Sequence, residues 1–283
     1  MAAAVWQKNA SARWEDEWRE RLAGIDPMRV VMHQRPNSPV IRMEVYCESA
    51  GEVAALIQQF GGREVTAKVA ARAAAHTPRH DRMLAIPGSR LSVRVVAVEP
   101  PDVLQENELV IVPGRAFGTG EHATTRMCLA LIAQAASKLA AGWRVLDLGS
   151  GSGILALAAR QLGAASGEGW DYDPHATRTA KMNAKLNKIR GITFKTGEIA
   201  ACEATPASFD VVVANVFSEV LCAEMPRMTK WLAPGGTLIV SGILAHQAKE
   251  VRRAGTRCGI RWTPTKSDHQ WVALSGRKSQ AKR

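Results

Sequence analysis

The stretch Val145-Leu-Asp-Leu-Gly-Ser-Gly-Ser-Gly153 runs from an apolar strand into a glycine-rich turn, and the apolar run Ile154 to Ala159 then opens a helix. Glycine lets the backbone approach a ligand closely, and the start of a helix presents free N–H groups. Strand, turn and helix in this order are how a doubly wound α/β sheet holds a nucleotide-like cofactor. A second acidic strand end follows at Gly169-Trp-Asp-Tyr-Asp-Pro174. Asp171 lies 22 residues beyond Gly149, about the interval expected between a glycine turn and a carboxylate that takes ribose hydroxyls.

Outward from this stretch, strand and helix alternate. The apolar, β-branched runs predict strands at Arg144–Leu148, Gly167–Tyr172, Ile192–Thr196, Asp210–Val216 and Thr237–Ser241. Helices begin near Gly153, Pro174, Ser218 and Ala245, and Pro174 suits a first helical turn. Pro234-Gly235-Gly236 reads as a turn before the fifth strand. Ile260–Thr263 and Gln270–Ser275 read as a closing antiparallel pair. This order predicts an α/β fold, a doubly wound, mostly parallel sheet of seven strands with right-handed crossovers.

The N-terminal part reads differently. Residues 1–24, with Trp14-Glu-Asp-Glu-Trp18, predict a short amphipathic helix. Strands are expected at Arg29 to His33, Val40 to Cys47 and Val65 to Val69. Between the last two lies a helix from Gly51 to Phe60, stopped by Gly61-Gly62. Ala70 to His76 reads as helix or linker. Leu84 to Gly88, Leu91 to Val98 and Leu109 to Val112 read as strands leading into the second domain. The expected division is a small α+β module with linker over 1–108, the main α/β domain over 109–276, and a basic tail over 277–283.

Composition sets bounds. Of 283 residues, 46% are hydrophobic, ample for a packed core. No apolar run approaches the roughly 18 residues needed to cross a bilayer, and Met1-Ala-Ala-Ala-Val-Trp-Gln-Lys8 lacks the basic head and apolar stretch of a signal peptide. The five cysteines are widely spaced, with no Cys-x-x-Cys pair to suggest zinc, so no metal site is expected. Unpaired thiols fit a cytoplasmic protein without membrane association. The net charge of +11 is uneven: residues 1–114 hold 14 Lys+Arg and 14 Asp+Glu, residues 115–283 hold 23 and 12. A basic field of this kind favours RNA or a ribosomal particle, against the plainer reading of solubility and a charged tail.

The glycine pattern differs from the dinucleotide fingerprint. Asp147, Gly149, Gly151 and Gly153 make Asp-x-Gly-x-Gly-x-Gly, which resembles the first motif of class I S-adenosylmethionine methyltransferases. Five segments in one order narrow the likeness. They are Phe117-Gly-Thr-Gly-Glu-His-Ala-Thr-Thr125, Val145 to Leu155, Asp171-Tyr-Asp-Pro174, Val212-Val-Ala-Asn215 and Leu238-Ile-Val-Ser-Gly-Ile-Leu244. Over about residues 109–275 the chain resembles the ribosomal protein L11 methyltransferases (PrmA type), and the loop from Phe117 to Thr125 is the discriminating piece.

The resemblance implies S-adenosylmethionine as cofactor. It implies cofactor contacts at Thr125, Gly149, Gly151, Asp171 and Asn215, and a loop of Phe117, Gly118 and Thr119 closing over the methionine moiety. It further implies methylation of amino groups, lysine or N-terminal, on a ribosomal large-subunit protein, with Asn215 orienting the amine. Family members carry a ferredoxin-like substrate-recognition module before the catalytic domain. The region before Phe117 has room for one but matches it poorly. After Asn215 the chain reads Val-Phe-Ser-Glu where Ile-Leu-Ala is commoner. The alternatives are an RNA, DNA or small-molecule methyltransferase of the same fold, or a non-catalytic cofactor-binding ribosome assembly factor.

Several residues carry two readings from the sequence. Thr124 or Thr125 could cap the following helix or meet the ligand. Asn215 ends a buried strand where ligands bind, and could equally be a turn former. Glu198 could sit near an adenine ring or be an ordinary loop acid. Asp147 is expected to order the glycine turn, Asp173 to cap the helix from Pro174, and His122 to be structural rather than an acceptor contact.

Overall fold

A computed structural model describes residues 4–22, 25, 29–34, 38–66, 82–96, 105–112, 120 and 122–279. The chain divides into two compact units, Met1–Arg79 and His80–Arg283.

The first unit runs β1 (Ala4–Ser11), α1 (Glu15–Arg21), β2 (Val30–Gln34), β3 (Val40–Tyr46), α2 (Ala50–Phe60) and β4 (Arg63–Thr66). All pairings are antiparallel, in the order β2-β3-β1-β4. This βαββαβ order is the ferredoxin-like arrangement. The small α+β module expected at the N-terminus thus takes the ferredoxin-like form, although its sequence matches the family's module poorly. Trp6, Trp18, Met43, Val45, Val53 and Leu56 form its core.

The short helix expected around Trp14–Trp18 is present as α1, while Ala4–Ser11, not read as a strand from the sequence, is a strand between two neighbours. Its polar residues hid it. Gln7 is buried because its amide donates to Glu44 Oε1 at 2.9 Å and its carbonyl accepts from Arg63 at 2.9 Å. Partners from distant strands satisfy a side chain that local pattern reads as loop. The stretch Ala70–His76 lies outside the described residues.

The second unit opens with β5 (Arg82–Ala85), β6 (Ser92–Val95) and β7 (Glu108–Ile111), which form a small sheet of their own. The expected boundary at 108/109 thus falls inside this sheet. β6 pairs with β7, and Leu91, Val93 and Val95 share one core with Leu109, Ile111 and Met127.

After α3 (Ala123–Ala136) comes the main sheet. Its elements are β8 (Arg144–Leu148), α4 (Ile154–Gln161), β9 (Ser166–Asp171), α5 (Pro174–Leu186), β10 (Ile192–Thr196), β11 (Phe209–Asn215), α6 (Ser218–Trp231), β12 (Leu232–Leu244), α7 (Ala248–Arg257), β13 (Ile260–Trp262), β14 (Lys266–Asp268) and β15 (Trp271–Lys278). The strand order is β10-β9-β8-β11-β12-β15-β13, seven strands as expected, with short β14 added on β15. β8 to β12 are parallel where they pair, and β15 runs antiparallel to its neighbours.

Alternate residues of each strand face opposite layers. Val145, Val211 and Val213 join a core with α3, α4 and α5; Leu146, Val212 and Ala214 join another with α6 and α7. Helices on both faces make the sheet doubly wound.

Two local expectations change. Pro234-Gly235-Gly236 does not precede β12 but bulges within it: Phe209 pairs with Leu232, and the register shifts before Val211 pairs with Thr237. Arg277 and Lys278, expected to start a tail, close β15 opposite Thr237 and Ile260. Lys278 Nζ donates to the carbonyls of Thr229 and Leu232, which ties the strand end to α6.

Candidate active site

The strand order reverses around β8, which opens a crevice at the carboxyl ends of β9, β8 and β11. Register aligns its residues. Leu148 lies opposite Trp170 on one side and Ala214 on the other. The next residue of each strand path is Asp171, Gly149 and Asn215, so three of the expected site residues stand side by side.

Gly149 turns the chain at φ +74°, and a Cβ there would lie 2.4 Å from Val216 Cγ1. Only glycine permits both the left-handed backbone and that approach. Gly149 N and Ser150 N both donate to Trp170 O, at 2.8 and 2.9 Å, and so pin the turn to β9. At the far end Gly153, φ +81°, lets α4 start against Phe194 and Ala180.

Asp171 is buried, with 8% of its surface exposed. Its Oδ2 accepts from Gly151 N at 2.7 Å and its Oδ1 from Asp173 N at 3.0 Å. Burial raises its carboxyl above the usual range, against those backbone bonds, which lower it. Each carboxylate oxygen has a second lone pair for a ligand hydroxyl. Asp173 caps α5 as expected, accepting from His175 N at 2.8 Å with Pro174 at the first turn.

Asp147 is fully buried beneath the turn. Its Oδ2 accepts from Ala156 N at 3.1 Å, fastening the start of α4. Burial pushes its carboxyl up to about 7. Asn215 Nδ2 donates to Thr125 Oγ1 at 3.5 Å, and Thr125 is buried within α3. Three buried polar atoms here have no hydrogen-bond partner among the described residues: Asn215 Oδ1, Asp147 Oδ1 and Ser150 Oγ. Buried acceptors and donors are normally satisfied, so a cluster of orphans around a glycine turn marks a place for a polar ligand.

His122, not Thr124 or Thr125, is the N-cap of α3. Its Nδ1 lies 2.7 Å from Thr124 Oγ1, and its ring meets Trp271 edge-on at 4.9 Å between centroids. Both contacts are structural, as expected. Glu198 is exposed and makes no capping bond. Phe117, Gly118 and Thr119 lie outside the described residues.

Local sequence reading missed Asn183 and Asn187. Both are buried and one turn apart, Asn183 on α5 and Asn187 at its C-cap. Asn187 pairs with both backbone groups of Val110, at 2.7 Å each. Asn183 holds Val112 in the same way, and its Nδ2 also reaches Ser152 O at 2.9 Å. They serve the edge of β7 as a neighbouring strand would, and Asn183 links it to the glycine turn. Two asparagines at i, i+4 on the otherwise apolar face of a helix were the available signal.

Residues 87–279 match the family model of ribosomal protein L11 methyltransferase (PrmA). The chain belongs to that family. A ribosomal protein L11 methyltransferase of Pelobacter propionicus is 38% identical over 195 residues, 68% of this chain and 62% of that protein. One from Thermus thermophilus is 43% identical over 171 residues, 60% of this chain and 65% of that protein. The matched stretch thus spans under two thirds of these relatives' length. The crystal structure of a ribosomal protein L11 methylase from Lactobacillus delbrueckii subsp. bulgaricus is 26% identical with a TM-score of 0.58, covering 70% of this chain and all of that one. The family's cofactor is S-adenosylmethionine, and the orphaned atoms and glycine turn fit it: a polar, nucleoside-bearing ligand with an amino group.

Proposed function

We propose that this protein transfers a methyl group from S-adenosylmethionine to an amino group, lysine or N-terminal, of a ribosomal protein of the L11 kind. The observation that carries this reading is the unpartnered, buried Asn215 Oδ1 at the end of β11, beside Gly149 and Asp171. An amide oxygen held in place there accepts a hydrogen bond from an incoming amine and turns its lone pair toward the reaction axis.

Bound S-adenosylmethionine supplies an electrophilic methyl on a sulfonium. Asp171 would hold the ribose hydroxyls, and the Gly149–Gly151 turn would hold the adenosine and methionine parts. Thr125 sets the Asn215 amide by accepting from its Nδ2, which leaves Oδ1 for the substrate. A lysine amine, with a free pKa of about 10.4, must be neutral to attack. Desolvation in the crevice favours the neutral form, and the proton passes to water. Alignment is then the main lever on rate. The ferredoxin-like unit is the candidate for recognising the protein acceptor, and the cytoplasm, where ribosomal proteins are made, is the expected compartment.

The direct test offers labelled S-adenosylmethionine and the purified chain to separated ribosomal proteins and to ribosomal RNA. Label in one large-subunit protein, on an amino group, is the expected result. Label in RNA alone, or none despite cofactor binding, would overturn the reading.

A further inference from the structure

The helix α7 carries a groove that the methyl-transfer site does not use. A concavity of about 640 Å³ lies between this helix and β13, lined by Lys249, Arg252, Arg253, Thr256, Arg257 and Trp262. Lys249, Arg253 and Arg257 recur every four residues and are exposed, so they form one row along the helix. Successive members are about 6 Å apart along the axis. Like charges at this spacing repel and weaken a helix.

Among the described residues no carboxylate forms an ion pair with Lys249, Arg252, Arg253 or Arg257. Glu250, the helix's single acid, is exposed, and its charge adds to burial in raising the Cys222 thiol of α6. The other wall is aromatic. Gly255 lets the Trp262 ring lie on the helix: a Cβ there would be 2.2 Å from Cζ2. Trp262 Nε1 donates to Arg252 O at 2.9 Å, and the ring stays half-exposed. Arg252 is held over this wall by Thr263 O and Thr265 Oγ1, at 3.1 and 2.6 Å.

A row of cations without an ion-paired carboxylate, at near-phosphate spacing beside an indole that carries the Arg252 guanidinium over its ring at 6.0 Å, is equipment for a single-stranded nucleic acid: charge for the backbone, and a guanidinium-on-indole platform for an unstacked base. We propose that the α7 groove binds single-stranded RNA, with Lys249, Arg253 and Arg257 on successive phosphates and a base against Trp262. The choice of RNA over DNA rests on the proposed acceptor, a component of an RNA particle. Helix α7 follows the carboxyl end of β12, so Lys249 stands at the edge of the sheet where the methyl-transfer site opens.

The test measures fluorescence anisotropy of a labelled twelve-nucleotide single-stranded RNA with the full chain across a salt series. A Lys249→Gln, Arg253→Gln, Arg257→Gln variant should bind roughly tenfold more weakly at low salt. Its log K against log salt slope should be shallower by about 2, three phosphates at about 0.7 each. The charge-matched control removes Arg178, Lys181 and Lys185, exposed residues of α5 on the other side of the sheet, and should retain binding. Equal loss in both variants would show a net-charge effect and overturn the proposal. So would equal or tighter binding of the matching DNA, or binding of an acidic peptide in place of RNA. Methyl transfer to isolated ribosomal proteins is assayed separately, so failure there would reject the proposed acceptor while leaving the RNA measurement to stand or fall by itself.

Discussion

Asn215 and Thr125, ninety positions apart, meet so that the asparagine's Nδ2 donates to the threonine hydroxyl at 3.5 Å while its Oδ1 is left buried without a partner among the described residues. One end of the amide is fixed by α3 and the other is offered to the crevice. In this orientation of the amide the Thr125 hydroxyl, which can donate or accept, acts as the acceptor. A rigid acceptor held ready in this way acts on the transition state more than on cofactor binding.

Asn215→Ala should therefore lower turnover by roughly 10- to 100-fold, the loss of an interaction of about 1.5–3 kcal/mol. Cofactor affinity should move far less. Thr125→Val should give a smaller loss of turnover by freeing the amide to rotate. Steady-state kinetics with calorimetric cofactor titration separates the two; a variant losing affinity and turnover equally would place Asn215 on the cofactor alone.

Replacing Asp171 by Ala removes the acceptor for ligand hydroxyls and for Gly151 N and Asp173 N. Cofactor binding should weaken by about 1.5–3 kcal/mol, and the unliganded protein should also melt earlier because two backbone donors lose their partner. Unchanged affinity in calorimetry would reject the ribose assignment.

The Asp147 carboxyl, raised to about 7 by burial, by far more than the Ala156 N–H bond lowers it and with the Asp171 charge adding, binds a proton more tightly folded than unfolded. The folded protein without cofactor is accordingly most favoured by this group below pH about 4, and that contribution is lost as pH rises to about 7. Asp147→Asn should flatten this part of the stability–pH curve, as read by denaturant titration. A cationic ligand group arriving nearby should release protons near neutral pH, visible as buffer-dependent calorimetric heats.

Gly149→Ala forces a methyl against Val216 in a left-handed backbone. A destabilisation of about 1–3 kcal/mol is expected. Adding Val216→Ala should recover only the steric part. Full recovery would mean the backbone conformation costs nothing; no recovery would mean Val216 is not the obstacle.

Asn183→Leu keeps bulk but strips the edge of β7 of its partner and frees Ser152 O. Buried backbone groups left unsatisfied should cost about 2–4 kcal/mol. Because Asn183 ties β7 to the glycine turn, cofactor affinity should fall too. Thermal melts with and without cofactor read both effects.

The main sheet was legible because its strands are short apolar runs closed by turn residues, and because Gly149, Asp171 and Asn215 each end such a run. Glycine spacing and strand order suffice to bring those three together, since parallel register follows from the crossovers. The same logic failed where a residue's partner is far away in the chain. Strand β1 was concealed because Gln7 is polar, and its burial depends on Glu44 and Arg63. The α3 cap went to His122 because Trp271 gives its ring a surface to lie on.

Sequence alone determined the doubly wound α/β class, the position of the glycine turn and the identity of the carboxylate and amide beside it. These are local: an apolar strand, a glycine where φ must be positive, and a polar residue at the strand's end. Only the tertiary structure decided that β5 and β6 belong with the second unit and that the first folds as βαββαβ. It also decided that Asn183 and Asn187 stand in for a strand and that Asn215 keeps one oxygen unpartnered. Each depends on hydrogen-bond partners or core neighbours supplied by distant segments, and a one-dimensional pattern of polar and apolar residues does not say which distant group will satisfy a buried one.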